Sequence, residues 1–252
     1  MIIAQGVSKS YGRAVVVDDV SITLPPRGVT SIIGPNGAGK STLLSIISRL
    51  LGMDGGSVTV DGMDVTRTPS DVLAKRLSIL RQDNHMTTRL TVRDLVAFGR
   101  YPYSKGRLTS QDKVHIDQAI EYLNLDGLKE RYLDELSGGQ RQRAFVAMVL
   151  CQDTEYVLLD EPLNNLDLKH AMGMMKLMRQ ASRDLNKTVV LVLHDINFAS
   201  WYSDTIVAMR EGRIVCHGPT EEIIRPDVLR TIYDMDINVH EIGGHKISLF
   251  YE

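Results

Sequence analysis

The sequence is short of cysteine, of net charge and of long apolar runs, and each shortage removes a class of protein. Its two cysteines, Cys151 and Cys216, stand far apart and in no C-x-x-C spacing. They predict neither a disulfide framework nor a zinc site, and they fit a reducing compartment. The formal charge is -2 with a sequence pI of about 6.4, so nothing marks a sequence-independent nucleic-acid binder, which would be basic. The longest clearly apolar runs, such as "VVLVL" at 189–193, are strand-sized, far from the roughly 20 residues that span a bilayer. The opening "MIIAQGVSKSYG" has no basic leader with a long apolar stretch, which predicts no signal peptide and a cytoplasmic chain. No fixed-period repeat or low-complexity tract interrupts it.

What is present is an ordinary globular composition, 43% hydrophobic and 24% charged over 252 residues, enough for one large domain or a core with an inserted subdomain. "GVTSIIG" at 28–34 reads as a strand, and "STLLSIISRLLG" at 41–52 as a helix with Leu43, Leu44, Ile47, Leu50 and Leu51 on its apolar face and Gly52 closing it. "SVTVDG" at 57–62 has hairpin grammar, with Val58 and Val60 on one face. The middle third, about 86–148, reads helical. "TVRD" and "TSQD" are Thr-x-x-Asp helix starts, Ile116, Ile120 and Leu123 recur at helical spacing, and "GRYPYSKGR" at 99–107 is expected to be a loop. "YVLLDEP" at 156–162 and "TVVLVLHD" at 188–195 return to apolar runs suited to a parallel sheet covered on both faces. Two strands about Glu211-Gly212 and a terminal hairpin about Gly243-Gly244 complete the chain.

The chemistry begins at "GPNGAGKST", Gly34, Pro35, Asn36, Gly37, Ala38, Gly39, Lys40, Ser41 and Thr42. This is G-x-x-x-x-G-K-[ST] between a strand and a helix, the context that confirms a P-loop. Glycines let backbone N–H groups curl around phosphate oxygens. Lys40 supplies charge to the β- and γ-phosphates, and Ser41 a hydroxyl to Mg²⁺. "VLLDEP" ends in two carboxylates at a strand tip: Asp160 would hold Mg²⁺ and Glu161 would act as general base on the attacking water. His194, at another strand tip, would reach the γ-phosphate. The later "ELSGGQRQRAFVAMVL", Glu135 to Leu150, is a second glycine loop opening a helix, without a lysine. Ser137-Gly138-Gly139-Gln140 is a capping box, yet a box needs no Gly-Gly, and bare N–H groups at a helix start favour an anion.

With these residues placed, the chain resembles the ATPase subunit of ABC transporters over nearly its whole length, to about residue 220. The resemblance implies an α/β P-loop NTPase fold with a RecA-like core, an N-terminal antiparallel β subdomain and an inserted helical subdomain. It implies an ATPase domain over 1–220, with the insertion about 86–148, and a C-terminal appendage over 221–252. Tyr11 looks like the aromatic that stacks on adenine, Gln82 like the Q-loop glutamine that joins Mg²⁺, and "LSGGQRQR" at 136–143 like the family signature. "NNLD" at 164–167 looks like the D-loop with Asp167, and His194 like the switch histidine. Two departures stand out: Arg81 precedes Gln82 where Pro is common, and Asn164 and Asn165 replace a small pair.

The family resolves the second loop by pairing two copies head-to-tail. Each ATP·Mg²⁺ then lies between one copy's P-loop and the other's Ser137–Gln140 loop, and the dimer closes on ATP and opens on hydrolysis. The resemblance further implies transmembrane permease subunits as partners, a substrate-binding protein indirectly, no nucleic acid, and a peripheral place on the cytoplasmic side of the membrane. "VAFGRYPYSKGRLTSQD" at 96–112 is similar to importers of iron–siderophores, haem and cobalamin, and iron–siderophore import is the leading expectation. The alternatives are another chelate or haem, an exporter cassette, a non-transport ABC ATPase on ribosomes or DNA, and a regulatory ATP-binding module without turnover.

Overall fold

The computed structural model of the chain describes every residue except His85, Thr87, Asn165, Tyr251 and Glu252. Its residues group into two bodies, Met1–Thr68 with Arg179–Glu252, and Pro69–Met178.

Alternating apolar residues build the first strands. β1 (Ile2–Tyr11) and β2 (Ala14–Leu24) form an antiparallel pair that turns between Tyr11 and Ala14 and buries Ile2, Val7, Val17, Val20 and Leu24. β3 (Gly28–Ile33) is followed by α1 (Lys40–Ile47), β4 (Gly55–Val60) and β5 (Met63–Asp64). Val58 and Val60 are both buried, as the alternation predicts, and the order β2-β1-β4-β5 makes an antiparallel sheet. α1 is shorter than expected. It stops at Ile47, Arg49 turns left-handed at φ 61°, and the Leu50 and Leu51 N–H groups both return to the Ser45 carbonyl. That reversal swings Leu50 out of the expected apolar face, leaving it 52% exposed.

The second body contains α2 (Ser70–Leu73), β6 (Leu77–Leu80), α3 (Val92–Ala97), α4 (Tyr101–Ser104), α5 (Ser110–Tyr122), α6 (Gly138–Cys151) and β7 (Tyr156–Asp160), with β6 parallel to β7. The Thr-x-x-Asp starts are capping boxes: Thr91 Oγ1 accepts from the Asp94 N–H at 3.1 Å, and Thr109 Oγ1 from the Asp112 N–H at 3.2 Å. Ile116, Ile120 and Leu123 are buried at the expected spacing. The expected loop at 99–107 is instead a 3₁₀ turn followed by α4. Pro102 falls in the first helical turn, where its missing N–H costs nothing, and Lys105 and Gly106, both at positive φ, end it.

This short helix has an anchor. Arg100 Nε donates to Asp112 Oδ1 at 2.9 Å and Arg100 Nη1 to the Cys151 carbonyl at 2.9 Å, while Tyr103 lays its ring 4.0 Å from the guanidinium. Both side chains of the pair are 5% exposed. Hydrogen bonds from the Thr109 backbone and hydroxyl, then from Arg100, hold the Asp112 carboxyl at about 2 against the opposing effect of burial. Asp112 therefore contributes stability above its unfolded value, lost as pH falls towards 2. Removing one partner strands a buried charge, so Asp112→Ala is expected to cost about 3–5 kcal/mol, roughly 10 °C in the calorimetric midpoint. The Cys151 thiol beside it is pushed up to about 12 by burial, which leaves it unreactive. Both cysteines are free, in line with the sequence.

α7 (Leu168–Asp184) leads to β8 (Thr188–Val192), α8 (Ile196–Tyr202), β9 (Thr205–Arg210) and β10 (Arg213–Pro219). In the first body β3 lies between β8 and β9, parallel to both, and β10 turns back antiparallel on β9 about Glu211-Gly212. α9 (Thr220–Ile223) and α10 (Pro226–Tyr233) follow, and β11 (Asn238–Ile242) pairs with β12 (His245–Leu249) in the expected hairpin. No helix among the described residues is long and apolar enough to cross a membrane.

Candidate nucleotide site

β3 and β8 are neighbours in register, Ile32 opposite Val192, and the Leu193 N–H donates to the Ile32 carbonyl at 3.1 Å. The two chains therefore leave the sheet at one edge. Gly34 begins the P-loop there and exposed His194 follows β8. This is the carboxyl edge of parallel strands, where α/β folds place their ligands.

The loop demands glycine at two points. A Cβ at Gly34 (φ 143°) would stand 2.0 Å from the Met209 carbonyl oxygen, and one at Gly39 (φ 93°) 2.4 Å from that of Val16. The second contact presses β2, and with it the β1–β2 turn that carries Tyr11, against the loop. Tyr11 ends β1 with 53% of its surface exposed and the Lys9 ammonium 5.9 Å from its ring centroid. Lys40 is 5% exposed and donates to the Gly34 and Pro35 carbonyls, both at 2.9 Å. A lysine folded onto the carbonyls of a glycine-rich loop, with Ser41 next to it at the start of α1, fits a polyphosphate.

The second body carries the acids. Asp160 closes β7 and is buried, 7% exposed. Glu161 follows at φ 49°, in the left-handed region that non-glycine residues enter uncommonly. Its Oε2 accepts from Gln82 Nε2 at 2.8 Å and from Asn164 Nδ2. The structure thus gathers Gln82, Glu161 and Asn164 around one carboxylate oxygen. Asn164 reads in sequence only as a departure from a small residue; its i+3 spacing from Glu161 is the signal that could have found it. Asn165 lies outside the described residues. Asp160 in this body, and Ser41 in the first, are each oxygen donors of the type that a hard cation such as Mg²⁺ takes.

The second glycine loop is a capping box in fact. Ser137 Oγ accepts from the Gln140 N–H at 3.3 Å, and Gln140 Oε1 from the Ser137 N–H at 3.0 Å. Gly139 has a reason beyond bare amides: a Cβ there would stand 2.8 Å from the His170 ring. His170 in turn bonds Asp167, ring nitrogen to Oδ1 at 2.7 Å and backbone N–H to the same oxygen at 2.8 Å, and these bonds draw the Asp167 carboxyl down. Signature loop and Asp167 are linked through a histidine that no motif singles out.

The ABC transporter model matches residues 17–164. The chain belongs to the ABC transporter family. ATP is the nucleotide of that family, and its hydrolysis is the enzymatic activity. The petrobactin import ATP-binding protein YclP of Bacillus subtilis is 54% identical over 251 residues, covering 100% of both chains. The petrobactin import ATP-binding protein FatE of Bacillus anthracis is 55% identical over 239 residues, covering 95% of this chain and 96% of that one. Among solved structures, the dimeric post-hydrolysis state of the ATP-binding cassette MJ0796 bound to ADP and Pi aligns with a TM-score of 0.78 at 26% identity, over 87% of this chain and 99% of that one. The α/β architecture with its antiparallel sheet and P-loop core is the fold this family shares.

Proposed function

We propose that this chain is the ATP-hydrolysing subunit of an ABC importer for a ferric siderophore, with petrobactin-type chelates the first cargo to test. The observation that carries this is full-length identity above half to ATP-binding proteins named for petrobactin import. Residues 1–220 form the ATPase domain and 221–252 an appendage.

In this reading the P-loop amides from Gly34 to Thr42, with Pro35, Asn36, Gly37 and Ala38 shaping the turn, wrap the phosphates. Lys40 exchanges its two carbonyl partners for phosphate oxygens, and Tyr11 stacks on the adenine. Ser41, Asp160 and Gln82 would hold Mg²⁺, which would supply positive charge to the phosphates. Glu161 takes a proton from the attacking water as general base, and the hydrogen bonds from Gln82 and Asn164 aim its carboxylate. His194 donates towards the γ-phosphate. Ser137, Gly138, Gly139 and Gln140 serve the ATP of a second, head-to-tail copy, a pairing supported by the dimeric state of MJ0796. Asp167 lies behind that loop through His170. ATP favours the closed pair and hydrolysis removes that preference, so the chemistry becomes motion.

The second body has a groove lined by Met86, Arg89, Leu90, Leu133, Asp134 and Arg141, suited to a cytoplasmic helix of a permease subunit. That docking places the chain peripherally on the cytoplasmic face, with the binding protein reached only through the permease. Affinity purification from detergent-solubilised membranes is expected to recover a permease pair and to give ATP-dependent uptake of a ferric siderophore in reconstituted vesicles. Recovery with ribosomes or DNA instead would overturn the transport reading.

A further inference from the structure

The segment from Glu161 to His170 has the general base at one end and Asp167 near the other, and both ends are held to the signature helix. Gln142, on the second turn of α6, donates from Nε2 to the Pro162 carbonyl at 2.9 Å, directly after Glu161. Glu161 is tied in turn to Asn164 within the same segment. His170 holds the far end. Its ring lies against Gly139, the second residue of α6, where an added Cβ would stand 2.8 Å from both Cγ and Cδ2. Gly139 is buried and is not among the glycines at positive φ. Space for this ring, rather than backbone freedom, is what calls for glycine there.

Helix capping alone does not account for His170. Asp167 directly precedes α7, and its Oδ1 accepts from the His170 N–H at 2.8 Å, as a cap does. A cap asks nothing of the side chain three residues on, yet the ring Nδ1 reaches the same oxygen at 2.7 Å. An ionised carboxylate only accepts, so Nδ1 carries the proton of this pair. The two side chains are 35% and 67% exposed, His170 and Asp167 respectively. A pair that open is ordinarily loose; the glycine face beneath the ring is what gives this one a fixed seat. With Oδ1 bound twice, the carboxylate has one direction. One histidine thus touches both groups that the chain would present to another copy's nucleotide, the Ser137–Gln140 loop and Asp167.

We propose that His170 is a positioning residue for hydrolysis: it fixes the Asp167 carboxylate to the glycine face of the signature loop, so that the loop's grip on a partner copy's ATP also sets Asp167 and the Glu161 segment braced beside it. This rests on the head-to-tail ATP-hydrolysing reading above. The full-length protein is tested three ways: ATP affinity of the single chain by calorimetry in EDTA, ATP-driven pairing by sedimentation in the Glu161→Gln background, and turnover with Glu161 intact. His170→Phe keeps a ring against Gly139 and removes the bond to Asp167. It is expected to lower both kcat and the association constant of the pair about ten-fold, the loss of one charge-assisted hydrogen bond. Its single-chain ATP affinity is expected to stay at the wild-type level. His170→Asn keeps a donor for Oδ1 and removes the ring, and is expected to recover part of the loss, to about three-fold below wild type. Asp167→Ala completes a cycle. Because His170 acts through Asp167, the double variant His170→Phe/Asp167→Ala is expected to be no slower than Asp167→Ala alone. Costs that add, or a wild-type kcat in either single His170 variant, overturn the proposal. So does a His170→Phe chain that loses single-chain ATP affinity in step with kcat, since that marks a general structural role. A wild type that binds no ATP overturns the ATPase reading instead, and a Glu161→Gln chain that stays monomeric with ATP overturns the head-to-tail reading.

Discussion

Glu161→Gln is expected to retain ATP binding and to slow hydrolysis by about 10²–10⁴-fold, the range of a lost general base. The amide is isosteric and keeps an oxygen to accept from Gln82 Nε2 or Asn164 Nδ2, so the strained backbone at φ 49° has no new reason to relax. What disappears is the basic oxygen that receives the water's proton. Because ATP is bound but not consumed, the head-to-tail pair should accumulate. Gel filtration at saturating ATP and Mg²⁺ reads this directly: a dimer is expected, and a profile that stays monomeric would count against the composite site. A kcat within ten-fold of wild type would remove Glu161 from the role of base.

Lys40→Ala is expected to weaken ATP binding itself, by about 10–100-fold, the loss of a charge-assisted hydrogen bond to phosphate. In the structure the ammonium is nearly buried and held by the Gly34 and Pro35 carbonyls. The variant therefore also frees two carbonyls that a bare loop must leave to water. Titration calorimetry separates the two variants cleanly, since Glu161→Gln should bind as wild type and Lys40→Ala should not. Unchanged affinity in Lys40→Ala would take Lys40 out of the phosphate site.

The second glycine loop shows how local and tertiary causes combine. Ser137 and Gln140 form the capping box that their spacing predicts. The glycine at 139 answers to something the spacing cannot show, the His170 ring that a Cβ would strike. Two demands meet at that residue: open amides for an anion and room for the histidine that holds Asp167. In the proposed head-to-tail pair, the charge this loop lacks comes from the other copy's Lys40.

Much of the site is legible in the sequence because its determinants are local. A glycine loop between strand and helix, a lysine and a serine at its end, and two acids closing an apolar run each declare their chemistry within a few residues. The helix caps at Thr91, Thr109 and Ser137 are equally local, since an oxygen and an N–H three residues apart meet in any helix start. Where the structure departs from these expectations, the cause is a contact that no short window contains. α1 ends early because Arg49 turns left-handed and sends two N–H groups back to Ser45. The expected loop at 99–107 holds a short helix because Arg100 is tied to Asp112 and the Cys151 carbonyl.

The sequence by itself determined the family, the nucleotide and the roles of Lys40, Asp160, Glu161 and the signature loop as expectations, because each depends on side-chain chemistry and near-neighbour hydrogen bonds. Only the tertiary structure decided which groups stand around them: Asn164 on the Glu161 carboxylate, Met209 against Gly34, Val16 against Gly39, and His170 against Gly139. Those neighbours are set by how strands and helices pack, and packing is settled by burial over the whole chain rather than by any motif within it.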